Sequence, residues 1–251
     1  MGFTEKDLIK DFEAIGIKSG DVLLVHSSLK SIGYVEGGAE TVIKALLKVL
    51  GDNGTLVMPT FTGSEKLSAE NPPYFDVKNS VCWTGLIPET FRKMEGVRRS
   101  LHPTHSVAVF GKKGEFLIKN HFYSKTPCDK KSPFYKLVKV GGKILLLGVT
   151  LDSMTLIHTV EELAKVSYHI QEKKVEATVI DERGEVKKRF LYIHKYGTPR
   201  YFRKIESESI EKGIMVKGSI GNAVSYLTDA KKFFKLALKK IKEDKDYFIV
   251  P

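Results

Sequence analysis

Cysteine is scarce: Cys82 and Cys128 are the only two among 251 residues. Two thiols so far apart provide neither a disulfide framework nor the Cys clustering of a structural zinc site. No apolar run approaches the ~18–20 residues that a membrane span requires. The opening Met-Gly-Phe-Thr-Glu-Lys-Asp lacks the apolar h-region of a signal peptide. A reducing, cytoplasmic compartment with no membrane partner is therefore expected. Linkers, repeats and low-complexity blocks are missing too, so residues 1–251 read as a single domain. With 42% hydrophobic and 10% aromatic residues, the chain is too rich in core-forming side chains to be disordered or collagenous.

Acidic residues fall short of basic ones, 30 against 41, which leaves a net charge of +11. Such a balance favours anionic partners, whether nucleic acid, a lipid surface or a phosphorylated cofactor. The charge is dispersed, however, in pairs such as Lys112-Lys113 and Lys130-Lys131 and in a tail from Lys231 to Lys245. That tail intersperses Glu243, Asp244 and Asp246 and reads as a solvated helix face. No helix-turn-helix, zinc-finger or RNP pattern accompanies the charge, so no nucleic-acid partner is expected.

Periodicity organises the rest. Thr4 to Ile15 carries apolar residues near helical spacing behind a Thr4 N-cap. Val22 to Val25 and Thr55 to Met58 are short continuous apolar runs that read as buried strands, with an amphipathic helix from Glu40 to Leu50 between them. Strand, helix, strand predicts a parallel pair and an α/β sheet. A punctuated loop follows from Phe61 to Ser80, then a helix over Leu86–Met94 and a strand over Val107–Phe110. Lys143 to Leu147 is the strongest buried strand, and a hairpin turns about Asp181–Gly184. The expected fold is a three-layer αβα domain with a central mixed sheet, helices on both faces and an accessory edge hairpin.

Three polar segments follow or precede these strands, where ligands of open α/β sheets bind. His26-Ser27-Ser28-Leu-Lys30-Ser31 leaves the first strand with hydroxyls, an imidazole and a lysine suited to an oxyanion or phosphate. It also suits a plain strand-to-helix turn with serine caps. Arg98-Arg99-Ser100-Leu-His102-Pro-Thr-His105-Ser106 gathers two guanidiniums, two imidazoles and three hydroxyls. It favours an anion or cofactor clamp over a metal, since its spacing matches no standard ligand set. The third, Gly148 to Glu162, leaves the strongest strand and enters a helix through an Asp152 or Ser153 cap. On that helix Glu161 and Glu162 lie three and four residues after His158, so either carboxylate can face the imidazole. A carboxylate on one ring nitrogen fixes the tautomer and leaves the other free to take a proton. No role falls to His121, His169 or His194; Trp83 reads as a core anchor, and Cys82 has no base near it in sequence.

Taken together, these stretches resemble the aminoglycoside N3-acetyltransferase family, which is acetyl-CoA-dependent and distinct from the GNAT fold. The similarity rests on Val25–Gly33, Gly54–Thr62, Gly85–Arg92, Arg98–Ser106, Leu147–Thr155, His158–Glu161 and Gly218–Ala223, in family order along nearly the whole chain. The resemblance implies acetyl transfer from acetyl-CoA to an amine of an aminoglycoside or related amino sugar, the chemistry of antibiotic resistance. It implies His158 and Glu161 as the base. His26, Ser27, Ser28, Lys30 and Ser31 would line the pantetheine and pyrophosphate path, Arg98, Arg99, His102 and Ser106 a second loop, and Thr155 the thioester region. Acetyl-CoA is then the co-substrate, no metal is expected, and partners are small molecules, with a homo-oligomer left open. Polycationic acceptors want acids, and Glu162, Glu206, Glu208 and Glu211 are the ones expected to meet them. An alternative is a CoA-binding protein with little catalysis, in a regulatory or scaffold role.

Overall fold

In the computed structural model, which describes residues 2–250, the apolar runs become the middle of a sheet buried on both sides. The strands are β1 (Val22–Ser27), β2 (Thr55–Pro59), β3 (Tyr74–Asp76), β4 (Arg98–Arg99), β5 (Val107–Gly111), β6 (Lys143–Leu147), β7 (Val175–Ile180), β8 (Val186–Leu191), β9 (Met215–Ile220) and β10 (Ala223–Asp229). Seven of them form the central sheet in the order β4-β5-β2-β1-β6-β10-β9. β1 pairs in parallel with both β2 and β6, with Val22 opposite Thr55 and Leu24 opposite Ile144. The outer strands run antiparallel. Parallel strands are covered on both faces, which explains their uninterrupted apolar sequence.

The helices are α1 (Glu5–Ala14), α2 (Leu29–Ile32), α3 (Gly38–Leu50), α4 (Leu86–Phe91), α5 (Gly114–Ile118), α6 (Pro133–Lys139), α7 (Leu156–Ala164), α8 (Glu206–Glu211) and α9 (Ala230–Glu243). Strand alternation splits them into two layers. Leu23, Val25, Leu145 and Leu147 pack with Phe12 of α1 and Leu46 of α3. Val22, Leu24, Ile144 and Leu146 pack with Leu137 of α6, Ile157 of α7 and Phe233 of α9. α1 starts on a capping box in which Thr4 and Asp7 exchange side-chain and backbone bonds, a device worth about 1 kcal/mol. The lysines of α9 face solvent while Phe233, Ala237 and Ile241 are buried, as expected of a solvated face.

The three layers and the mixed central sheet are those expected, and the hairpin about Asp181–Gly184 is present as β7 and β8. Its placement differs from an edge of the central sheet: β7 pairs in parallel with β3 and forms a separate three-stranded sheet. The edge of the central sheet is instead the later hairpin of β9 and β10. Among the described residues no helix is long and apolar enough to cross a membrane.

Candidate active site

The C-terminal ends of β1, β2 and β6 lie side by side, and the residues just beyond them line a cavity of about 270 Å³. β1 contributes His26 and Ser27, β2 contributes Pro59 and Phe61, and the segment after β6 contributes Val149, Asp152, Thr155 and His158. A second cavity of about 270 Å³ adjoins it, with Lys195, Thr198 and Arg200 in its wall. His158, His194, Asp152 and Tyr196 border both. The exits of β1 and β6 meet because Gly148 has no Cβ. At φ +67° a Cβ would lie 2.5 Å from that of Ser31, whose hydroxyl instead donates to the Gly148 carbonyl at 3.0 Å.

Thr150 caps a single 3-10 turn over Leu151–Ser153, and α7 begins after Thr155 with no side-chain cap. The expected Asp152 or Ser153 cap is thus replaced by a turn in which Asp152 accepts from the Thr150 hydroxyl at 3.0 Å and lines the cavity. On α7 the three-residue spacing brings His158 Nδ1 to 2.7 Å from Glu161 Oε2. Glu161 is completely buried and paired with Arg200, whose Nε donates to Oε1 at 2.9 Å. The carboxylate therefore accepts from Nδ1–H, and the Nε2 side of the ring is left for the cavity. Glu162 points elsewhere: it accepts from the backbone N–H of Cys128 at 2.8 Å and from the Thr126 hydroxyl. The choice between the two carboxylates, open in the sequence, falls to Glu161.

All seven histidines gather here. His169 stacks on His158 with ring centroids 4.9 Å apart, and His194 contacts both at 4.2 and 5.0 Å. His105 touches His194 at 4.4 Å, and behind it His102 stacks on His121 at 4.8 Å. Burial pushes His26 and His105 down to about 3, helped in each case by the nearby His158. Burial also holds His102, His121, His169 and His194 well below the ordinary imidazole range. These rings are neutral near pH 7. Sequence reasoning gives His169 and His194 no role because they sit 11 and 36 residues from His158, and no local pattern signals that convergence.

The first segment reaches the cavity only in part. His26 and Ser27 line it with a buried, unpartnered Nε2 and Oγ. Ser28 caps α2, Ser31 bonds Ser28 and Gly148, and Lys30 is exposed. The second segment departs further from expectation. Arg99 is 5% exposed, bonded through Nε to Thr60 and Ser106 and through its terminal nitrogens to the carbonyls of Thr60 and Ser80, with Phe75 against its plane. Its donors are spent inside the protein. Arg98 pairs with Glu115 away from the cavity, His102 is fully buried in the second layer, and Ser106 donates to the Thr60 carbonyl. His105 is the member of this segment that lines the cavity.

Trp83, expected in the core, is 63% exposed at the cavity rim, with its indole N–H on the Gly63 carbonyl at 2.7 Å. The expected acceptor acids lie elsewhere: Glu206 accepts from Tyr226, Glu208 pairs with Lys240, and Glu211 is on the outer surface of α8. Asp152 is the carboxylate that borders both cavities.

Comparison with known proteins agrees with this architecture. Residues 24–242 match the family described as aminoglycoside 3-N-acetyltransferase. The chain is 32% identical to aminoglycoside N(3)-acetyltransferase IX of Micromonospora chalcea, over 95% of this chain and 93% of that one. It is 30% identical to aminoglycoside N(3)-acetyltransferase III of Pseudomonas aeruginosa, over 94% and 92%. Among solved structures, aminoglycoside acetyltransferase AAC(3)-Xa superposes with a TM-score of 0.84 at 31% identity, covering 96% of this chain and 93% of its own. AAC-IIIb in a binary complex with CoASH superposes with a TM-score of 0.83 at 28% identity, covering 100% and 99%. A mutant of AAC(3)-IVa in complex with a gentamicin gives 0.83 at 27% identity, covering 100% and 93%.

Proposed function

The chain belongs to the aminoglycoside 3-N-acetyltransferase family, and on that premise we propose that it moves an acetyl group from acetyl-CoA to an amino group of an aminoglycoside or related amino sugar, with His158 as general base and Glu161 as its positioning carboxylate. The observation that carries this reading is the place of the His158–Glu161 pair, on the ring shared by two adjoining cavities. A two-substrate transfer needs one base with access to both partners.

Acetyl-CoA supplies the activated acyl thioester. The first cavity suits it: Val25, Phe61 and Val149 are apolar walls, and the unpartnered Ser27 hydroxyl and His26 Nε2 await a polar group. The Ser27 hydroxyl can donate to a carbonyl oxygen as negative charge develops there, an effect of about 2.7–4 kcal/mol for a well-placed donor. The chain's net charge of +11 suits the phosphates of the cofactor. Lys30, exposed beside the first cavity's β1 exit, is the cation of the sequence-predicted set still available to them.

The acceptor enters with its amine toward His158 and a second ammonium toward Asp152. His158 takes the proton that the attacking nitrogen must lose; the Arg200–Glu161 pair keeps Nδ1–H directed at Glu161 so that the receiving nitrogen is Nε2. A positioned base is worth about 10²–10⁴-fold.

The test is turnover with acetyl-CoA and a panel of amino sugars, read as free thiol. Release of thiol that depends on the amine supports transfer. Tight CoA binding with no amine-dependent thiol would make the chain a CoA-binding protein instead.

A further inference from the structure

The segment after α9 lines neither cavity, yet it is fastened to the groups that hold the base. It turns over residues 245–248, where Phe248 is completely buried. It then runs alongside residues 199–201. The Tyr201 N–H donates to the Phe248 carbonyl at 2.8 Å and the Val250 N–H to the Pro199 carbonyl at 3.2 Å, with Arg200 opposite Ile249 in an isolated antiparallel bridge. Nearer α9, the Tyr168 hydroxyl donates to the Lys245 carbonyl at 3.3 Å, and Lys245 Nζ donates to the Ala164 carbonyl at the end of α7. These few residues therefore grip both α7, which carries His158, and the stretch that carries Arg200.

That stretch needs holding. Lys195, Tyr196, Thr198, Arg200 and Phe202 wall the second cavity. Between the Lys195 N–H, which donates to the His169 carbonyl at 2.8 Å, and the 3-10 turn that begins at Phe202, the wall has no helix or strand of its own. It contains Gly197 at φ +96°, with open space where a Cβ would be. A stretch of this kind opens readily unless neighbours fix it, and the segment after α9 supplies the backbone bonds that do so. Two lines lead from that segment to the base. In the first, the Arg200 guanidinium lies over the Tyr168 ring at 5.2 Å and Nε donates to Glu161 at 2.9 Å. In the second, the Phe202 ring meets Phe248 at 5.4 Å and His158 at 5.4 Å, edge to face in both contacts. The first line sets the carboxylate that orients Nδ1–H, and the second sets the plane of the imidazole.

We propose that residues 245–250 are a strap that positions both the base and the wall of the acceptor cavity, with Phe248 as its positioning residue. The inference rests on the reading of His158 as general base and of the second cavity as the acceptor's. Phe248 touches no reacting atom; it acts through Phe202 and through the backbone that carries Arg200. The first cavity is built by the exits of β1, β2 and β6, and neither Arg200 nor Phe202 borders it. Loosening the strap should therefore spare acetyl-CoA and fall on the acceptor and on turnover. A general loss of stability would instead lower cofactor affinity and turnover together.

The experiment compares the full chain with Phe248→Ala and Phe248→Leu. Phe248→Ala should lower kcat about tenfold, as a small displacement of a base does, and raise KM for an amino-sugar acceptor about fivefold. The Kd of acetyl-CoA, measured by calorimetry without acceptor, should stay within about twofold. Phe248→Leu, which keeps an apolar side chain, should show the same pattern about threefold more weakly, and it carries the comparison if the alanine variant fails to fold. Loss of acetyl-CoA affinity in step with kcat, or constants within about twofold of wild type throughout, would overturn the proposal. A second readout needs no turnover. In protein labelled with ¹⁵N-histidine, the His158 Nδ1–H, identified by its absence from His158→Gln, should resonate downfield and broaden through exchange with water when Phe248 is replaced. An unchanged resonance would overturn the strap alone. Its absence from the wild type would overturn the His158–Glu161 pair and the strap with it, so the two failures are told apart.

Discussion

Acidification should unfold this protein early, because its histidines are buried neutral. His26 and His105 titrate near 6.5 when unfolded and are pushed down to about 3 in the fold, by burial first and by His158 second. Below pH 6.5 the unfolded chain therefore binds protons that the folded chain refuses, and stability falls by roughly 1.4 kcal/mol per pH step for each group. By pH 5 the two together cost about 4 kcal/mol. Glu162 acts in the opposite sense. Burial raises its carboxyl to about 8 from 4.5, so the fold keeps a proton that the unfolded chain has released. Stability thus rises by about 2 kcal/mol as pH falls from 8 to 6.5, and by about 2 more down to pH 5. The net loss from these three groups between pH 6.5 and 5 is about 1.4 kcal/mol. His102, His121, His169 and His194 add to it in the same direction as the other histidines. Against a typical total of ~5–15 kcal/mol, stability should peak at about pH 7 and drop steeply beneath pH 6.5. Urea unfolding followed by circular dichroism, at half-unit steps from pH 8 to 5, measures the curve. Flat stability from 6.5 to 5 would refute the placement of His26 and His105 as buried neutral rings.

Arg99→Met should destabilise the chain by about 3–5 kcal/mol, since the Thr60 and Ser80 carbonyls lose their donor. The same change should leave the ratio of CoA to dephospho-CoA affinity unaltered; selective loss of CoA affinity would restore Arg99 to the cofactor path. Asp152→Asn should raise KM for a diamine or polyamine acceptor about tenfold, the equivalent of about 1.4 kcal/mol, while KM for acetyl-CoA stays within about twofold. An unchanged acceptor KM would remove Asp152 from acceptor binding.

Local physics makes much of the fold legible. The apolar runs at Val22–Val25, Thr55–Met58 and Lys143–Leu147 are buried on both faces of the sheet, so their sequences carry no polar alternation and announce their place. β9 and β10 are harder to read because an edge strand such as Met215–Ile220 has exposed Val216 and Lys217 and a glycine within it. β4 and β3, of two and three residues, are too short for any periodicity. The His158–Glu161 pair is legible because residues three apart share one face of a helix. Its supporting shell is not: His169 comes from the segment between α7 and β7, and His194 and Arg200 from the segment after β8. Arg99 illustrates the converse. Its guanidinium in a polar loop suggests an anion site, but the burial that turns it into an internal strut depends on Phe75 and Ser80, distant in sequence and close in space.

The most direct test of the account is single-turnover acetyl transfer by His158→Ala, with acetyl-CoA affinity measured in parallel. The account predicts a rate lowered by about 10²–10⁴-fold with cofactor affinity kept within a few-fold, and partial recovery as pH rises and the acceptor amine sheds its own proton. Turnover close to wild type at pH 7 would contradict it.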